Sequence, residues 1–356
     1  MALLYIDSFD HYVTADLAEK WSSSAVTFGT NAISAGNGRH SSASYRTVYS
    51  GLGASAAQLV KSLTPGDATA IVGGAVRVDA APADSGGAAI VSIYDGSTPQ
   101  VQLLLMSDLK LRVVRGAFSG GTTLGTTAAA ALVANTYAYV ELKVLIHASA
   151  GTVDLKVNGV SVLALTGQNT RNTGTAQWTA LRIGHETGAT SNSSNEIDFD
   201  DLYVPDGSGS SPWNAFLGDC RVDAVYPTAA GNSSGFTPSA GSNYQNVDDT
   251  APDDDSTYNA AASSPLTDTF VVGDAPVAGA SIFGVQHCLS MKKTDAGTCT
   301  VAPVVRHSST DYVGSDISPA TTYGYGLAIN ATNPGTSAQW TESDFNAAEF
   351  GYKRTA

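Results

Sequence analysis

The stretch Ala138-Tyr-Val-Glu-Leu-Lys-Val-Leu-Ile-His-Ala-Ser-Ala-Gly-Thr-Val-Asp-Leu-Lys-Val-Asn-Gly-Val-Ser-Val-Leu-Ala-Leu165 decides the fold class. Val140, Leu142, Val144 and Ile146 fall on one side of an extended chain, while Glu141 and Lys143 fall on the other. Val153, Leu155 and Val157 then alternate with Thr152, Asp154 and Lys156. A period of two residues is the signature of a half-buried β-strand. Asn158-Gly159 supplies the two positive φ angles that a type I′ turn needs, and Val160, Val162 and Ala164 carry the pattern on. The stretch therefore predicts strands joined by a tight hairpin.

Working outward, short apolar or alternating runs recur at Ile71–Val78, Ala89–Tyr94, Val101–Met106 and Leu111–Arg115, broken by Gly, Pro or Asp. Later runs are Leu217–Tyr226, Thr267–Val272, Ala280–Met291, Thr298–Arg306, Thr321–Ile329 and Ala347–Lys353. The composition agrees with these runs. Of 356 residues, 43% are apolar and only 14% charged, with 36 Gly and 13 Pro, which suits many strands joined by turns rather than long helices. That length accommodates two domains. Asp206-Gly-Ser-Gly-Ser-Ser-Pro212 is short, polar and rich in Gly and Ser, so it is the expected linker. The expectation is an all-β chain of two antiparallel β-sandwich (jelly-roll) domains in tandem, at 1–205 and 213–356, with residues 206–212 between them.

The formal charge of −14 and the lack of any Lys/Arg cluster exclude a nucleic-acid footprint and disfavour anionic membranes. No apolar run approaches the roughly 20 residues of a membrane span, so no insertion is expected. Met1 to Ile6 has neither a basic region nor a long apolar stretch, so no signal peptide is expected, and synthesis is expected in a cytoplasm. Cys220, Cys288 and Cys299 cannot close a disulfide framework and are expected to be small buried apolar residues. A hairpin centred on Asp295-Ala296-Gly297 would place Cys288 opposite about Pro303. The sequons at Asn192, Asn232 and Asn330 are what chance gives in a chain this rich in Asn, Ser and Thr.

Glu196-Ile-Asp-Phe-Asp200 is the string with most chemical content. It resembles the Glu-x-Asp-x-Glu strand of laminarinase-type glycoside hydrolases, in which alternate residues of one strand project carboxylates into a cleft. Its last acid, Asp200, is a methylene shorter than the Glu of that motif, and no Trp/Tyr cluster flanks it. The expectation is that the chain is not an enzyme; polysaccharide binding or glycoside cleavage through the strand of Glu196, Asp198 and Asp200 is the alternative. In the same strand Ile197 and Phe199 have one parity and Leu202 and Val204 the other, as an extra residue at Asp200-Asp201 would produce. Adjacent carboxylates at a bulge offer the several oxygens that calcium takes, so Asp198, Asp200 and Asp201 are the candidate ligands; no other cofactor is expected. The acidic run Asp248–Asp255 lacks the order of an EF-hand loop. Gly231-Asn-Ser-Ser-Gly235 matches a nucleophile elbow in letters only, because Phe236-Thr237-Pro238 cannot continue as a helix.

Several motifs together resemble virion proteins of tailed bacteriophages that carry a concanavalin A-like (laminin-G-like) β-sandwich. They are Tyr5-Ile-Asp-Ser-Phe-Asp10 with Trp21, Gly151-Thr-Val-Asp-Leu-Lys-Val-Asn-Gly-Val160 and Phe199-Asp-Asp-Leu-Tyr203 in the first half. Phe216-Leu-Gly-Asp-Cys-Arg-Val-Asp223 and Asn346-Ala-Ala-Glu-Phe-Gly351 carry the likeness into the second. The resemblance implies a first domain of concanavalin A-like fold and a structural role in the virion. Tail or tail fibre is favoured, and capsid decoration is the alternative. It further implies other virion proteins as partners, a homo-oligomer, and contact with host-surface glycan. Tyr94, Trp178 and Trp213 are the aromatic candidates for that contact.

Overall fold

The computed structural model describes residues 3–49, 55–83, 85–188 and 195–356. The chain forms two compact units that divide between Val222 and Asp223. The sequon at Asn192 lies outside the described residues.

Unit 1 holds β1 (Leu3–Asp7), β2 (Ser23–Thr27), β3 (Gly29–Ser34), β4 (Ser44–Tyr49), β5 (Ser55–Ser62), β6 (Thr69–Val78), β7 (Ala88–Asp95) and β8 (Thr98–Leu105). It continues with β9 (Leu111–Arg115), β10 (Thr122–Thr126), β11 (Ala138–Leu145), β12 (Gly151–Val157), β13 (Val160–Gln168), β14 (Ala180–Thr187) and β15 (Asn195–Pro205). Among the described residues these make two antiparallel sheets. One runs β13-β12-β11-β6-β15-β4-β3 with β1 also on β15, and the other runs β10-β9-β8-β7-β14-β5-β2. The all-β sandwich class expected from the sequence is present. The deciding hairpin is there in register: Val157 pairs Val160, and Asn158 and Gly159 take φ of 49° and 76°.

The sheets meet through side chains that the alternation turned inward. Tyr49 of β4 lies edge-on to His185 of β14 at 4.8 Å, and the Tyr45 hydroxyl donates to the Ala57 carbonyl of β5. Tyr45 also stacks on Phe199 at 5.7 Å between centroids. Side chains of this size each contribute about 1.5–3 kcal/mol by leaving water, so these rows hold the two sheets together.

The parity switch in β15 is a bulge. Asp200 pairs Ala75 and Tyr203 pairs Gly73, so three residues of β15 span two of β6, and Asp201 adopts φ of 52°. The bulge is also where β15 changes partner: β4 lies along Asn195–Phe199 and β1 along Leu202–Pro205.

The expected linker is corrected. Residues 206–222 belong to unit 1 and lie as a strap over the outer face of the eight-stranded sheet. Asp206 accepts from the Gly66 and Ser208 amides, and Asp67 accepts from the Gly207 amide. Beyond this anchored turn, Phe216, Leu217 and Cys220 pack on Ile71, Ala75, Tyr139 and Tyr203. A run rich in Gly and Ser reads as flexible, but here its backbone amides are bound by two carboxylates and its sequel supplies apolar cover. The run Leu217–Tyr226 is accordingly not a strand. Its Leu217 and Cys220 serve the strap, while Val225 packs on the core of unit 2.

Unit 2 holds β16 (Pro227–Ser234), β17 (Thr237–Pro238), β18 (Asn259–Ala260), β19 (Leu266–Val272), β20 (Val285–Met291), β21 (Val301–His307), β22 (Thr310–Val313), β23 (Gly324–Asn330) and β24 (Glu349–Arg354). A five-stranded sheet runs β16-β19-β24-β21-β22, and β20 pairs β23 as a ribbon. His287 of the ribbon reaches the Val304 carbonyl at 3.3 Å, and Ile282 and Val285 pack on a core of Val305, Trp340, Phe345, Ala348 and Phe350. The expected hairpin at Asp295 does not form: Cys288 stands opposite Leu327. All three cysteines are free and half-buried rather than fully buried. Gly231–Gly235 sits mostly in β16, with no helix after it.

Candidate functional site

The acidic residues of β15 do project to one face, but each has protein partners. Asp198 receives Arg46 Nε at 2.8 Å, Arg77 Nη2 at 3.0 Å and Ser44 Oγ at 3.0 Å, and its side chain is 1% exposed. The same Arg46 reaches Glu196 at 2.9 Å. The cause is register: Arg46 and Arg77 stand directly across from Asp198 on the two flanking strands. Such bidentate guanidinium–carboxylate contacts are strong when shielded.

Asp200 accepts from the Arg39 amide at 2.7 Å, Ser42 Oγ at 3.1 Å and the Asp201 amide at 2.8 Å. Burial, with Asp201 beside it, pushes its carboxyl up to about 8. Asp201 meets Arg39 Nη1 at 3.1 Å and accepts from the Val222 amide at 2.7 Å. The candidate calcium ligands Asp198, Asp200 and Asp201 are thus engaged by arginines, two serines and backbone amides. Among the described residues no group of three or more His, Cys, Asp or Glu side chains could hold a metal ion. A retaining hydrolase needs two carboxylates converging on one bond. Here Glu196 and Asp198 share Arg46.

The aromatic candidates are likewise placed inside. Trp178 is 1% exposed with Nε1 donating to the Thr69 carbonyl, and Trp213 is half-buried in the strap. Tyr94 is 4% exposed.

What covers Tyr94 is the feature that sequence reading missed. On the outer face of the seven-stranded sheet, Arg182 of β14, Ser92 of β7 and Gln102 of β8 stand in one cross-strand row. Gln102 Nε2 donates to Ser92 Oγ at 2.9 Å and to Glu186 Oε2 at 3.2 Å, while its Oε1 accepts from the Phe118 amide. Tyr94 donates to Glu186; burial first and that carboxylate second raise its phenol. The Arg182 guanidinium lies over the Tyr94 ring, 3.7 Å from its centroid. Arg182 Nε is buried without a hydrogen-bond partner among the described residues. Ser92 and Gln102 are fully buried, whereas Arg182 and Glu186 each keep part of their surface. The arrangement presents a cation held flat, with its carboxylate neighbour already taken by Tyr94 and Gln102. The only signal in the sequence is a single Arg inside the apolar run Ala180-Leu-Arg-Ile-Gly184.

No family model and no curated protein matches this chain. Solved structures do match in part. A cellulose-induced protein is 17% identical with a TM-score of 0.39, covering 52% of this chain and 90% of its own. An alginate lyase is 12% identical with a TM-score of 0.39, covering 56% of this chain and 96% of its own. An alginate lyase from Corynebacterium sp. is 15% identical with a TM-score of 0.33, covering 45% of this chain and 76% of its own. Likenesses at this level assign neither activity nor substrate. They do correct one expectation. Because alginate lyases stand among the matched sandwiches, this architecture is no mark of a non-enzymatic protein, and that reading is withdrawn.

Proposed function

We propose that the chain binds polysaccharide through the outer face of the seven-stranded sheet of unit 1. The observation that carries this reading is the half-buried Arg182 guanidinium stacked on Tyr94, with the neighbouring Glu186 engaged by Gln102 and Tyr94 instead. A planar, rigidly supported donor set on a sheet face is what recognition of a sugar chain uses, because sugars offer many oxygens and few apolar surfaces. The face differs from the β15 strand, whose acids are matched by arginines within the fold. Incubating the purified chain with a broad polysaccharide panel, and following both retention and release of new chain ends, tests the reading. Retention of at least one polysaccharide is expected, and a panel with neither binding nor cleavage sinks it.

The virion setting is part of the proposal and is supported by the quoted motifs alone. Other virion proteins and further copies of this chain would then be its partners, and host-surface glycan its target. Antibody labelling of purified particles is expected to decorate the tail. Absence of the protein from particles would remove the setting while leaving the binding face to stand or fall on the panel.

A further inference from the structure

We infer that Arg182 receives an oxyanion of an acidic polysaccharide, either a carboxylate or a sulfate ester, an inference that rests on the polysaccharide-binding reading above. A guanidinium stays charged throughout the working pH range and offers its N–H donors in a fixed plane that matches such groups. Neutral sugar hydroxyls can approach the same atoms, but they cannot neutralise the charge.

Two features of the surroundings favour an external anion over an internal one, and a third confines it to this place. Glu186, the carboxylate in this cluster, accepts from Gln102 and Tyr94 instead of closing an ion pair with Arg182. The Tyr94 ring supports the guanidinium from below, fixing its plane and adding a cation–π attraction. The chain carries a formal charge of −14, so non-specific adsorption of a polyanion is opposed by the whole field. Any polyanion that binds must therefore do so at a local cation, and the attraction must weaken with salt.

The test titrates the full chain with three polymers of matched length: a polyuronate, a sulfated glycan and a neutral glucan. Calorimetry at low and moderate salt reads the affinities for the native protein, Arg182→Gln and Arg182→Lys, with circular dichroism confirming that each variant is folded. The native chain is expected to prefer one acidic polymer over the glucan by about tenfold or more, and which one identifies carboxylate or sulfate. Arg182→Gln is expected to abolish that preference, and Arg182→Lys to retain part of it, because charge survives where the planar fork does not. If the glucan binds as tightly as both acidic polymers, or if Arg182→Gln keeps the preference, the inference is overturned while polysaccharide binding stands. If none of the three polymers binds, the inference is overturned, and the broad panel decides whether polysaccharide binding falls with it.

Discussion

Asp198 shows how one residue can look catalytic in sequence and be architectural in space. Alternation along β15 puts it on the same face as Glu196, and antiparallel register then brings an arginine from each side. Replacing Asp198 by Ala leaves Arg46 and Arg77 facing each other across an empty position. Their partial exposure moderates the penalty, so a loss of about 2 kcal/mol is expected from urea unfolding. An unchanged midpoint would mean that solvent replaces the carboxylate at no cost. The sequence made Glu196, Asp198 and Asp200 legible as a cluster. It could not show the arginines, which come from positions about 120 and 150 residues earlier and meet the strand only through sheet order. Arg182 was invisible for the converse reason: its significance lies in a partner it lacks.

At the scale of elements, the strap over residues 206–222 accounts for the polar face of β11. Alternation correctly assigned Glu141 to the face opposite Val140, yet Glu141 is 1% exposed. It accepts from the Tyr203 hydroxyl and the Gly218 amide, and that hydroxyl in turn accepts from the Leu217 amide. Tyr203→Phe removes the middle of this chain of bonds and leaves a buried carboxylate and a buried amide each one partner short. A loss of about 1–3 kcal/mol follows, with faster hydrogen exchange at Leu217 and Gly218 than elsewhere in the strap. Equal exchange in both proteins would show that the apolar contacts of Phe216, Leu217 and Cys220 suffice. Hairpins, strand periods and the bulge could all be read from the sequence because each is set by neighbours a few residues apart. Cover by a Gly- and Ser-rich segment could not, since nothing local distinguishes a tethered strap from a free linker.

At the scale of the whole molecule, buried titratable groups set the response to pH. Burial lowers His11 to about 3 and His185 to about 4 in unit 1, and His287 to about 4 in unit 2. Each remains neutral in the folded chain while the unfolded chain takes up a proton below about 6.5, so each makes stability fall as pH falls from there. Asp200 acts in the opposite sense. Its carboxyl is raised to about 8, so its contribution is complete below the usual carboxylate value and is lost as pH rises through about 8. In unit 1 two histidines outweigh one aspartate below about pH 6.5, and the aspartate acts alone above it. Thermal unfolding followed against pH is therefore expected to peak near pH 6.5, with a decline on the alkaline side that ends near pH 8. A midpoint that instead rises as pH falls from 6.5 to 4 would show that these imidazoles are charged within the fold and leave Asp200 acting alone.

The pairing of β1 with the far end of β15 has a consequence for how the chain is made. Leu3 lies opposite Pro205, so the first strand of unit 1 has no partner until some two hundred residues later. At a synthesis rate of roughly 5–20 residues per second, that strand waits for about 10–40 s with its edge unsatisfied. Sheets closed by such distant pairings form slowly, because the loop entropy must be overcome before any contact rewards it. Unit 1 therefore matures only after nearly all of its own sequence has been translated, and nascent copies crowded on one messenger would share the hazard of exchanging that first strand.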